Sequence, residues 1–155
     1  MQVHSLGLEE CEEEYFLIGI HTTLEDFKLA FLLNKKLGTQ FYRSKKDLSF
    51  EKMKKQASFS LFNYLNLEYD FYWSLISNGS KRENQTVFNE LQLAAEIKTY
   101  LIPEKKKVDF FIKIQGNIQY SFVSEIVNKI KTIDQIITSY QIDKNTLKSK
   151  DFLIF

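Results

Sequence analysis

Residues 108–142 read VDFFIKIQGNIQYSFVSEIVNKIKTIDQIITSYQI, and this stretch decides the fold class. Its first eight residues alternate. Val108, Phe110, Ile112 and Ile114 fall on one side of an extended chain, and Asp109, Phe111, Lys113 and Gln115 on the other. That period of two belongs to a strand. Further on the period lengthens: Phe122, Ile126, Val127 and Ile130 recur at the spacing of one helix face, which predicts a helix over 120–131. Ile136–Ile142 then returns to a β-branched, strand-forming composition.

Towards the N-terminus the same pattern recurs. Tyr15–Ile20 is a short apolar run closed by His21-Thr22-Thr23, which reads as a buried strand. Thr22 and Glu25 have capping-box spacing ahead of a helix from Leu24 to Leu37, with Gly38 as its stop. Phe27 and Phe31 are expected to share a core with Ile126 and Ile130. Asp26 and Asn34 are polar residues among apolar positions. The first is read as a first-turn charge that complements the helix dipole, the second as a partner for nearby backbone. Between the ends, Thr39–Ser44, Ser58–Leu65, Phe71–Ser77 and Glu96–Ile102 read as strands, with Asn78-Gly79 as a turn.

The order is therefore β-α-β, a meander, then β-α-β. It predicts an α+β fold: a mostly antiparallel sheet with two helices packed on one face. Residues 1–155 hold no repeat and no Gly/Ser/Pro-rich linker, which predicts one domain. The ending with Ile133, Ile136, Ile137 and Tyr140 looks like that of ferredoxin-like regulatory domains, a likeness of pattern that implies no ligand.

Composition narrows the functional classes. The chain carries 21 Lys+Arg against 20 Asp+Glu, so no global field draws it to nucleic acid or membrane. No apolar run approaches the ~18 residues needed to span a bilayer. Met1-Gln2-Val3-His4-Ser5 lacks the cationic start and apolar core of a signal peptide, and Cys11 is the only cysteine. These readings predict a cytoplasmic protein. Fourteen Phe, eight Tyr and one Trp are a heavy aromatic load.

Ile102-Pro103-Glu104-Lys105-Lys106-Lys107-Val108-Asp109-Phe110 resembles the signature of the IPExxxVDY family, small uncharacterised bacterial proteins; the final Tyr is Phe110 here. Ile20–Phe27, Leu33–Gly38, Leu75–Asn78 and Leu147–Phe155 are similar to that family as well. The resemblance implies a bacterial cytoplasmic protein and no activity.

The residues themselves favour a non-enzymatic binding module, either protein-binding or homodimerising. The aromatics Tyr64, Tyr69, Phe71, Tyr72, Trp73 and Phe111 exceed what two helices on one sheet face can cover, which predicts an exposed aromatic face with Trp73, Tyr72 and Phe111 as binding residues. An alternative is RNA or another nucleic acid. Six basic residues between Arg43 and Lys55, among them Lys45 and Lys46, face only Asp47 and Glu51, and sit beside Phe41 and Tyr42. A third reading is an enzyme built on His21, Glu104 and Asp109. Against it, the signature has the parts of a strand connection: Pro103 to end one strand, charges to solvate the turn, and Val108 and Phe110 to resume. His4, His21 and Cys11 have no metal-ligand spacing, and no nucleotide-binding glycine motif occurs, so neither a metal nor a cofactor is expected.

Overall fold

A computed structural model of the chain describes residues 14–50, 57–80 and 99–155. Six strands form one sheet: β1 (Tyr15–Thr22), β2 (Tyr42–Arg43), β3 (Leu61–Asn66), β4 (Phe71–Ser77), β5 (Phe110–Gln115) and β6 (Ile136–Ile142). Their order is β2-β3-β4-β5-β1-β6, and every neighbouring pair is antiparallel. Two helices, α1 (Asp26–Leu37) and α2 (Tyr120–Lys131), complete an α+β fold. α2 carries the chain from β5 to β6, leaving β1 between them. Among the described residues no helix is long and apolar enough to cross a membrane.

Both helices cover the same face. Leu29, Ala30 and Leu33 of α1 and Val123, Ile126, Val127 and Ile130 of α2 join Ile18, Ile20, Trp73, Leu75, Phe110, Ile112 and Ile114 in one core. Phe27 and Phe31 do not enter it; they are 56% and 64% exposed. The buried stripe of α1 is Asp26, Leu29, Ala30 and Leu33, and a 3.6-residue period carries positions 27 and 31 away from that stripe. Asp26 is tolerated there because Arg43 Nη1 stands 3.5 Å from its Oδ2. Asn34 ties the helix end to the next segment, accepting from Phe41 N at 2.8 Å and donating to Phe41 O at 3.1 Å. Gly38 closes the helix in the left-handed conformation, φ 69°.

The opposite face is covered too, so the expected open aromatic face is corrected. Tyr15, Leu17, Phe59, Leu61, Ile76, Phe111 and Ile142 form a second core there, under a layer that supplies Leu101, Ile102, Val108, Leu147 and Leu153. Val108 lies in this core although Phe110 lies in the other, because β5 begins only at Phe110. Gly19 permits the close approach. A Cβ at this point in β1 would stand 2.8 Å from Ile142 Cδ1 and 3.4 Å from Val108.

Lys113 is fully buried in this second layer. Its ammonium donates to Leu153 O at 2.6 Å and lies 4.9 Å from the Tyr15 ring centroid and 4.7 Å from that of Phe155. Other boundaries also differ from the sequence expectation. α1 starts at Asp26 because Thr22 still belongs to β1, its hydroxyl donating to Gln135 O at 2.7 Å. Thr39–Ser44 keeps only two strand residues, and Ser58–Leu65 begins at Leu61. Of Glu96–Ile102 only the end is described: Tyr100 makes one bridge to Gly79, and Leu101 and Ile102 are bends. His4, the acidic run 9–13, Cys11, Lys52, Lys54 and Lys55 lie outside the described residues.

Candidate functional site

The signature segment lies against the sheet, clamped by one side chain. Asn78, fully buried, donates from Nδ2 to Lys105 O and Val108 O, both at 2.8 Å, and accepts from Ile102 N at 2.9 Å. Its backbone adds two bonds, to Asp109 O and from Leu101 N. Pro103–Lys105 is a 3-10 turn, and Pro103, Glu104, Lys106 and Lys107 are exposed. Val108 and Phe110 are buried, in opposite cores, and Asp109 between them is exposed.

The two signature carboxylates point at different backbone groups. Glu104 Oε2 accepts from Lys148 N at 2.7 Å and Ser149 N at 2.9 Å. Burial raises its carboxyl pKa. Donors from its own backbone, Ser149 and Lys148 outweigh that and hold it below the ordinary carboxylate range. Asp109 Oδ2 accepts from Thr22 N at 2.8 Å, where β6 bulges at Ile137 against β1.

A cleft of about 400 Å³ opens beside the segment, lined by His21, Tyr140 and residues 103–108. Asp109 does not line it. His21 Nε2 and the Tyr140 hydroxyl are 2.8 Å apart, and burial raises the Tyr140 phenol above its usual range. His21 and Glu104 therefore share a cleft, but Glu104 is engaged by two amides and Asp109 faces elsewhere. The arrangement stabilises a loop and does not converge three groups on one reacting atom. Among the described residues no group of three or more His, Cys, Asp or Glu could hold a metal ion.

The expected binding residues disperse. Trp73 is buried under α2, its ring 6.1 Å from both Phe41 and Phe122, and Phe111 is fully buried in the second core. Neither ring reaches the surface. Tyr72 is half-buried, its phenol pKa raised by burial and by neighbouring Tyr42. Arg43 is held between Asp26 and Asp47 and lies 5.3 Å over Phe62, so its guanidinium is occupied within the chain. Lys45 and Lys46 are exposed.

Two surface features escaped the sequence reading. One is the exposed pair Phe27 and Phe31, announced only by an apolar arc too wide for a single face. The other is β6, which ends the sheet. Ile20 O accepts from Asp109 N on the β5 side, so Ile20 turns its backbone away from its β6 partner Ser139. By antiparallel alternation Thr138 and Tyr140 bond β1 and Ser139 and Gln141 turn away from it, Ser139 fully buried and Gln141 half-buried. Ile137 beside them is 71% exposed. Ile136–Ile142 contains no charge and no proline, the devices by which edge strands usually discourage pairing. No known family, curated protein or solved structure matches the chain.

Proposed function

We propose that the chain is a non-enzymatic binding module that contacts another polypeptide along β6, the end strand of the sheet among the described residues. The observation that carries this reading is an uncharged seven-residue strand at the end of the sheet, with Ile137 exposed and Gln141 half-buried along it. Such an edge offers main-chain hydrogen bonds to an extended partner, and its side chains supply selectivity. The amide-bound carboxylates of Glu104 and Asp109 support a structural role for the signature. The in-chain pairing of Arg43 weighs against phosphate recognition.

A place in the bacterial cytoplasm, as the IPExxxVDY resemblance implies, fits the lone cysteine and the near-neutral charge. The order β4-β5-β1-β6 with α1 and α2 supports the ferredoxin-like reading, β2 and β3 extending that arrangement at one edge.

Capture from an extract of the source cell tests the proposal. Wild-type chain and the Lys45→Glu/Lys46→Glu variant retain the same partner, and Gln141→Pro loses it. Retention by Gln141→Pro, or loss on the lysine reversal alone, contradicts it.

A further inference from the structure

We infer that the cleft between His21, Tyr140 and the lysine turn binds a small phosphorylated molecule, whose phosphate monoester sits between the Tyr140 hydroxyl and the lysines. The cleft holds about 400 Å³, within the ~300–1,000 Å³ range of small-ligand sites. Lys105, Lys106 and Lys107 line it, and among the described residues none of the three has an ion-pair partner. Among those residues the one carboxylate in the lining, Glu104, is already held by Lys148 N and Ser149 N. Three uncompensated cations around one hollow suit a dianion, and lysine binds phosphate as a point charge. Asn78 fixes Lys105 O and Val108 O, so the turn that carries the lysines is in place before a ligand arrives.

The other wall supplies a neutral donor. His21 Nε2 and the Tyr140 hydroxyl are 2.8 Å apart, and among the described residues neither side chain makes a second hydrogen bond. With the imidazole proton on Nε2, the phenolic oxygen accepts it and keeps its own proton to donate to a ligand oxygen. Burial raises the Tyr140 pKa, which holds that proton in place at neutral pH. His21 is thus a positioning residue for the phenol. The Tyr140 side chain packs against the second core, so the site is separate from the main-chain contact proposed along β6. It also lies at the opposite end of the strand order from Arg43, whose guanidinium is occupied within the chain.

Nuclear magnetic resonance titration of the full chain with inorganic phosphate tests this, at constant ionic strength and about pH 8, where phosphate is a dianion. Phosphate shifts the His21 ring signals and the amides of residues 105–108, and the shifts saturate in the millimolar range. Methyl phosphate, a monoester, binds at least as tightly. Dimethyl phosphate, a diester with a single charge, binds at least about fivefold more weakly. Tyr140→Phe, which keeps the ring, weakens phosphate binding about tenfold by removing a hydrogen bond to a charged group. The Lys105→Gln/Lys106→Gln/Lys107→Gln variant, altered on a solvent-facing turn, loses saturation, and Lys45→Glu/Lys46→Glu binds as wild type does. Shifts that never saturate, or that persist unchanged in both cleft variants, show a diffuse ion atmosphere and overturn the site. Binding of inorganic phosphate with exclusion of the monoester overturns it too, as does a diester, the phosphate of a nucleic-acid strand, that binds as tightly as the monoester.

Discussion

The side-chain amide of Asn78 donates to the backbone carbonyl of Val108 at 2.8 Å, and this contact joins the end of β4 to the signature segment across the second core. The same side chain also serves Lys105 O and Ile102 N, so one buried residue satisfies three backbone groups of a loop that has no ladder of its own.

Asn78→Ala is expected to destabilise the fold by about 3 kcal/mol, since it leaves buried donors and acceptors unpaired. Urea unfolding measures this. A loss below about 1 kcal/mol would show that water replaces the clamp without penalty.

Glu104 adds a pH-dependent tie. Its carboxyl pKa in the folded chain is depressed, so its contribution is present above the ordinary carboxylate pKa and lost as pH falls through the depressed value. Wild type is therefore more stable than Glu104→Gln at neutral pH, and the gap closes in acid. A gap that persists unchanged well below the carboxylate range would contradict the capping role.

Aromatic substitutions separate core from surface. Trp73→Ala removes a ring packed among Phe41, Tyr64 and Phe122, and costs about 3–5 kcal/mol. Phe31→Ala, at a 64% exposed position, changes stability by no more than about 0.5 kcal/mol. Reversed magnitudes in thermal unfolding would mean that α1 is rotated from the orientation described.

These contrasts show what the residues announced and what they could not. β4, α2 and β6 match the expected ranges to the residue, because local periodicity and composition define them without help from the rest of the chain. α1 was located, but not its rotation. The wheel of residues 24–37 carries apolar side chains over a wide arc, and the stripe that turns inward, Asp26, Leu29, Ala30 and Leu33, is set by the surface the helix packs on. The second layer was illegible. It consists of short turns, which have no period, and its hydrogen bonds run from Asn78, Glu104 and Lys113 to backbone 24 to 45 residues away. His21 is legible as a candidate side chain, but its partner Tyr140 lies 119 residues on. The edge status of β6 is a property of strand order, which no single strand reveals.

Lys113 makes the C-terminal residues structural. Removing Leu153–Phe155 takes away the carbonyl that receives its ammonium at 2.6 Å and one of the rings beside it. A chain ending at Phe152 should lose at least about 2 kcal/mol, since the buried ammonium loses a charge-assisted hydrogen bond and a facing ring. Equal stability of the full and truncated chains in urea would contradict the assignment.

Residue-resolved amide hydrogen exchange, with and without the captured partner, tests the use of the β6 edge most directly. The Gln141 amide, turned away from β1, should exchange quickly in the free chain and become protected in the complex. Thr138 and Tyr140, bonded to β1, stay slow in both. Exchange at Gln141 that remains fast in the complex, or protection that appears instead around Phe27 and Phe31, would contradict binding at this edge.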